Sequence, residues 1–253
     1  MDKDQLERYA RHIILREVGG QGQQKLLAAK VLVVGAGGLG APILQYLAAA
    51  GVGEIGIADD DVVSLSNLQR QVIYRTDQVG IAKTTAAGAF VSALNPDVVI
   101  NQHTVRISQE NSEALIAPYD LIIEGVDNFE TRFSLNAACI ALRKPFISAA
   151  VGRFDGQIAL YKPFAAPGEL PCYRCLTPAA PPRDAQISCA EDGVLGVITG
   201  VVGSIAALEA LKELLGIGET LAGHLLLYDG FGGSMRRVKL RADPACMDCG
   251  VRK

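Results

Sequence analysis

Two sets of residues in this sequence have the types and spacing for chemistry. The first begins with Gly35-Ala36-Gly37-Gly38-Leu39-Gly40, a G-x-G-x-x-G run. Glycines without Cβ atoms let backbone approach phosphates, and a helix opening there offers N–H donors and the positive end of its dipole. Asp59 follows at the expected end of the next strand, where a carboxylate can accept hydrogen bonds from ribose hydroxyls. Asn67 and Arg70 are spaced to share one face of a helical turn. Lys83 and the Asp127-Asn128 pair come later. Singly, Arg70 or Lys83 reads as a solvated surface residue. Jointly, two cations, an amide and a carboxylate exceed the needs of a dinucleotide's two phosphates. They suit a nucleoside triphosphate with Mg²⁺, where cations neutralise phosphates and a carboxylate carries the metal.

The second set is six cysteines: Cys139, Cys172, Cys175, Cys189, Cys246 and Cys249. Cys172/Cys175 and Cys246/Cys249 form two C-x-x-C pairs. Four thiolates so paired suit a structural, tetrahedral Zn²⁺ with no open position. Two redox dithiols or four unrelated thiols are the alternatives. Cys139, in an apolar helical stretch, reads as a small buried hydrophobe. Cys189 ends a Pro-rich stretch and is a candidate nucleophile, since thiolates form acyl and persulfide intermediates. Residue chemistry alone leaves its role open.

The elements that must position these groups alternate strand and helix. Lys30–Val34 reads as a strand buried on both faces. A helix follows around Pro42 to Ala50, with Pro42 suited to its first turn. Glu54–Ala58 reads as the second strand. Helices are predicted at 83–94, 110–117 and 130–143, and strands at 97–105, 121–123 and 146–151. This pattern predicts an α/β, Rossmann-like, doubly wound and mostly parallel sheet. An N-terminal helix is predicted over 4–17, broken by Gly19-Gly20 and Gly22. After residue 152 come a strand at 156–161, a Pro-rich stretch at 163–193, a helix at 196–216 and strands near 224–228 and 235–240. The expectation is one domain with N-terminal helices (1–28), a nucleotide-binding core (29–152) and a C-terminal antiparallel, zinc-binding part (153–253).

The length of 253 residues is ample for a core without disulfide staples, and 49% hydrophobic with 20% charged residues is a globular balance. A net charge of −3 argues against nucleic-acid or anionic-membrane partners, because no cationic surplus exists to release counterions. Met1-Asp2-Lys3-Asp4-Gln5 lacks the basic and apolar regions of an export signal, so the expected location is cytoplasmic. Leu195–Ile217 is apolar enough to raise a membrane question. Glu209, Lys212 and Glu213 within it favour a buried helix.

Together these motifs, with Ser64-Leu65-Ser66-Asn67-Leu68-Gln69-Arg70-Gln71 and Cys172-Tyr173-Arg174-Cys175, resemble the MoeB/ThiF family, bacterial relatives of ubiquitin-activating enzymes. The resemblance runs from Tyr9-Ala10-Arg11 to the last cysteine pair. It implies ATP-dependent adenylylation of the C-terminal Gly-Gly of a small ubiquitin-fold sulfur-carrier protein, with release of pyrophosphate. It implies a nucleotide set of Gly35, Gly37, Gly38, Gly40, Asp59, Asp61, Ser66, Asn67, Arg70, Lys83, Asp127 and Asn128. Arg70, Lys83 and Asp127 would carry catalysis, and Asp127 would position Mg²⁺. Arg11 would reach into the partner's site of a homodimer. Cys189 matches the family's acceptor position, and a sulfurtransferase or cysteine desulfurase would be a further partner. One departure stands out: Glu124-Gly125-Val126 precedes Asp127, where relatives more often carry a short acidic-Cys/Gly-Thr sequence.

Three other readings compete. An NAD-dependent oxidoreductase keeps the glycines and Asp59 but leaves the charged set unused. A non-catalytic zinc-stabilised partner-binding module explains only the cysteines and the C-terminal part. A relative that activates a carboxylate on modified tRNA sits poorly with the two cysteine pairs and the missing basic surplus.

Overall fold

The computed structural model describes residues 1–182 and 192–250; the Cys189 assignment lies outside them. Its centre is one eight-stranded sheet in the order β3-β2-β1-β4-β5-β6-β7-β8. The strands are β1 (Lys30–Val34), β2 (Glu54–Ala58), β3 (Val99–His103), β4 (Leu121–Glu124), β5 (Phe146–Val151), β6 (Asp155–Tyr161), β7 (His224–Asp229) and β8 (Ser234–Lys239). β1 to β5 pair in parallel and β6 to β8 antiparallel.

β1 shows why the sheet is buried on both sides. Val31 and Val33 enter one core with Ile43, Leu44 and Leu47, while Leu32 and Val34 enter the other with Ile116, Leu135 and Cys139. α4 (Gly40–Ala50), α5 (Lys83–Leu94) and the long α9 (Gly196–Leu215) supply the first core. α6 (Ser112–Ile116) and α7 (Phe129–Ala141) supply the second. Each fully buried Val, Leu or Ile contributes roughly 1.5–3 kcal/mol, so the apolar runs fix the strand registers. Cys139 is 2% exposed inside that second core, as a small hydrophobe should be.

α9 packs against α4, β5 and β6 inside the protein. Among the described residues no helix is long and apolar enough to cross a membrane.

Two local expectations fail. The helix predicted over 4–17 is two short ones, α1 (Lys3–Arg8) and α2 (Ala10–Ile13), separated at Tyr9. Tyr9 is drawn into the core, where its hydroxyl accepts from Asn95 Nδ2 at 2.8 Å. The glycines read as a break instead open α3 (Gly19–Ala28). A Cβ on Gly22 would lie 3.2 Å from a Leu215 methyl, so this glycine lets α3 close on α9. Between Pro163 and Pro182 the chain forms a 3₁₀ turn at Pro163–Ala165 and α8 (Tyr173–Leu176).

Candidate active site

The order of the sheet reverses between β1 and β4, the position where open α/β sheets hold ligands beyond their strand C-termini. A crevice of about 590 Å³ opens there, within the usual size of a small-molecule site. Gly35, Gly37, Gly38, Asp59, Asp61, Asn67, Arg70, Lys83, Asp127 and Asn128 all line it.

The glycine turn joins β1 to α4. Gly35 has φ +88°, a left-handed conformation that side chains resist. Gly40 does not line the crevice. A Cβ there would sit 2.0 Å from the Gly35 carbonyl oxygen, so its service is to let the loop fold back on itself.

Asp59 stands just past the end of β2, beneath this loop. The Ala36 N–H donates to its Oδ2 at 2.7 Å and the Asp61 N–H to its Oδ1 at 2.9 Å. Burial raises its pKa above the ordinary carboxylate value, and the nearby Lys83 charge opposes that shift. Lys83 opens α5 and is nearly buried. Its Nζ donates to Asp61 Oδ2 at 2.8 Å and lies 3.9 Å from Asp59 Oδ1. A cation and two carboxylates thus face the same crevice from the ends of β2 and α5.

Asn67 and Arg70 do share one face. Arg70 Nη2 donates to Asn67 Oδ1 at 3.0 Å and Nη1 to the Ser66 carbonyl at 3.3 Å. Asp127, beyond β4, is exposed and makes no hydrogen bond among the described residues, so its carboxylate is free for a cation. Asn128 also supports the fold, since its side-chain oxygen caps α7 by accepting from the Thr131 N–H at 2.9 Å.

Some sequence candidates stand apart. The exposed Ser66 bonds Ser64 Oγ at 3.0 Å and does not line the crevice. Arg11 is exposed on α2, also away from it. Other lining residues were not singled out from sequence. Gln71 is buried, and its Oε1 has no hydrogen-bond partner among the described residues. Thr199 arrives from α9 and contributes its methyl beside Gly38. Gln71 carried a weak signal, one position past Arg70. Thr199 carried none, because only tertiary packing brings α9 here.

The second site lies at the far side of α7. Sγ separations are 3.9 Å for Cys172–Cys175, 3.6 Å for Cys172–Cys246 and 3.4 Å for Cys175–Cys249. All four sulfurs fall within 4.8 Å of one another. A tetrahedron of thiolates with metal–sulfur bonds of about 2.3 Å has edges of about 3.8 Å. Disulfides need about 2.05 Å, and all four are free thiols. The donor set and its dimensions therefore fit a zinc ion. Burial pushes the Cys172 thiol up to about 12, a penalty on the thiolate that a bound dication would offset. The cluster is latched to α7: Asn136 Nδ2 donates to Asp248 Oδ2 at 2.7 Å, and Arg174 pairs with Asp248 at 2.9 Å while covering the Phe133 ring.

The motif order and this geometry agree with comparison to known proteins. Residues 9–249 match the family model described as the ThiF family. The chain belongs to the ThiF family. A Thermus thermophilus protein named sulfur carrier protein adenylyltransferase is 51% identical, over 98% of this chain and 92% of the relative. The SAMP-activating enzyme E1 of Haloferax volcanii is 48% identical, over 99% of this chain and 91% of the relative. A relative named adenylyltransferase and sulfurtransferase MOCS3, from Anopheles gambiae, is 45% identical; the chain spans 56% of its length. Among solved structures, E. coli MccB with ATP superposes with a TM-score of 0.82 at 23% identity, over 96% of this chain and 75% of that one. This last likeness shows the fold.

Proposed function

We propose that this ThiF-family chain adenylylates the C-terminal carboxylate of a small ubiquitin-fold sulfur-carrier protein ending in Gly-Gly. The observation that carries the proposal is near-full-length identity of 51% to a sulfur carrier protein adenylyltransferase. The crevice supports it, because it joins a glycine loop to cations and a free carboxylate.

The carrier's carboxylate attacks the α-phosphorus of ATP. A new oxygen–phosphorus bond forms, the α–β bridge breaks, and pyrophosphate leaves with the electron pair. The nucleophile is already ionised, so no general base is needed. Catalysis then rests on positioning and charge neutralisation. The loop of Gly35, Gly37 and Gly38 holds phosphates against backbone. Asp59 accepts from the ribose hydroxyls. Lys83, Arg70 and Asn67 hold the polyphosphate, and nucleotide binding draws Lys83 from Asp61 toward it. Asp127 holds Mg²⁺, which supplies charge neutralisation on the phosphates when bound.

The four paired cysteines hold a structural Zn²⁺ that clips the C-terminal segment to α7. Arg11, exposed on α2, serves the neighbouring site of a homodimer, and Cys189 serves as a sulfur or acyl acceptor on sequence grounds. A sulfurtransferase or cysteine desulfurase would act next on the activated carrier. The rival oxidoreductase reading leaves Arg70, Lys83 and Asp127 without a role.

The deciding experiment incubates the protein with MgATP and each candidate carrier, followed by mass spectrometry. A mass gain of one AMP on a carrier is expected. No gain on any carrier, with NAD binding tighter than ATP, overturns the proposal.

A further inference from the structure

We propose that Glu124 and Arg132 are positioning residues that clamp the backbone leading into Asp127, and so set its carboxylate for the metal–nucleotide complex. This inference rests on the adenylylation reading above.

Glu124 ends β4 with its side chain fully buried, and Arg132, one turn into α7, is 8% exposed. Their charges pair at 3.1 Å. A buried ion pair is a weak source of stability, because an apolar pair of similar volume often does as well. Its placement gives it a different use. The Val126 N–H donates to Glu124 Oε2 at 2.8 Å. Arg132 Nη2 donates to the Val126 carbonyl at 2.6 Å and reaches the Ala149 carbonyl at 3.5 Å. The two consecutive peptide units between Gly125 and Asp127 are therefore each gripped by one member of the pair. The Ser148 hydroxyl on β5 donates to the other Glu124 oxygen.

The remaining neighbours are fixed as well. A Cβ on Gly125 would meet Leu39 Cβ at 2.6 Å, so this segment is seated on the glycine loop. Asn128, on the other side, is held as the cap of α7. Asp127 is thus a free carboxylate between two anchored neighbours. A ligand held within about half an ångström needs such support from the residues behind it. Glu124 is the acidic first residue of the Glu124-Gly125-Val126 segment that leads into Asp127. Its carboxylate is long enough to fold back on the Val126 N–H two residues ahead.

The test uses Mn²⁺ as probe, its affinity read by electron paramagnetic resonance with a non-hydrolysable ATP analogue. Affinity for the analogue in excess chelator is measured in parallel. Glu124→Gln and Arg132→Lys are expected to weaken Mn²⁺ at least tenfold and leave the metal-free nucleotide affinity within twofold. Asp127→Asn is expected to weaken Mn²⁺ by at least as much. Adding Glu124→Gln to Asp127→Asn should then cost nothing further, because the clamp acts through that carboxylate. Ser148→Ala, which keeps both charges, carries the test if Glu124→Gln does not fold; a two- to fivefold weakening of Mn²⁺ alone is expected.

Equal losses of metal-bound and metal-free nucleotide, additive losses in the double variant, or unchanged Mn²⁺ affinity in the folded variants overturn the clamp. If the unaltered protein and Asp127→Asn bind Mn²⁺–nucleotide equally, the assignment of the crevice itself falls.

Discussion

Lys83 serves the fold and the proposed chemistry, and Lys83→Met separates the two. The substitution removes the ammonium and keeps an unbranched chain of similar volume. Its two carboxylate partners differ in weight. The Asp61 side chain is 70% exposed, so its pair contributes at most about 1 kcal/mol. The Asp59 and Lys83 side chains are 9% and 6% exposed. Removing one member of such a buried pair costs about 3–5 kcal/mol. Two backbone N–H groups still hold Asp59, and the pair distance is long, which places the cost near 3 kcal/mol. At about 2–4 °C per kcal/mol for a chain of this size, the thermal midpoint should fall by about 6–12 °C. Loss of one preorganised charge from the polyphosphate should cost about 2.7–4 kcal/mol in the transition state, or 10²–10³ in rate. The assays are scanning calorimetry and carrier-dependent ATP–pyrophosphate exchange. Adding Asp59→Asn removes the stranded charge, so the midpoint should recover most of its loss while exchange stays low. Near-normal exchange in Lys83→Met refutes the phosphate role. A double variant no more stable than Lys83→Met refutes the charge accounting.

Three further outcomes are expected. Gly40→Ala places a methyl 2.0 Å from the Gly35 oxygen; the loop must shift, and ATP affinity by calorimetry should fall at least tenfold with the secondary structure by circular dichroism retained. Metal analysis should find one zinc per chain, and Cys249→Ser should lose it; hydrogen exchange should then quicken around Tyr173–Leu176 and 243–250 and stay slow in β1 and β4. The pKa of Asp59 is raised above 3.8 in the fold, chiefly by burial. The folded state therefore holds that proton more tightly than the unfolded chain. Its contribution to stability is full below about pH 4 and lost as pH rises through the folded value. Nuclear magnetic resonance titration of the nucleotide-free protein should find Asp59 titrating above the ordinary carboxylate value of 3.8, and higher still in Lys83→Met; a titration at or below 3.8 contradicts this.

Much of the site was legible because its residues follow strands. Gly35, Asp59 and Asp127 stand just past β1, β2 and β4, and a parallel sheet brings all strand C-termini to one edge. Residue types and spacing were enough to pair Asn67 with Arg70 and to group the four cysteines, since one helical turn and one tetrahedral ion set those distances. Spacing could not place Thr199, nor show that Gly40 serves loop packing rather than the crevice, because both depend on which helix crosses which loop. The same holds for Tyr9, whose capture by Asn95 splits a helix that periodicity alone reads as continuous, and for Gly22, read as a break when its missing side chain admits Leu215.

The sequence by itself determined the alternation of strand and helix, most of the charged and glycine residues that line the crevice, and the cysteine quartet, because periodicity and residue type are local properties. Only the tertiary structure decided that Glu124 and Arg132 are paired, buried and gripping the backbone before Asp127. A charge eight residues from its partner in the chain reads as two solvated residues until the packing of α7 on β5 excludes water and leaves each the other's counter-ion.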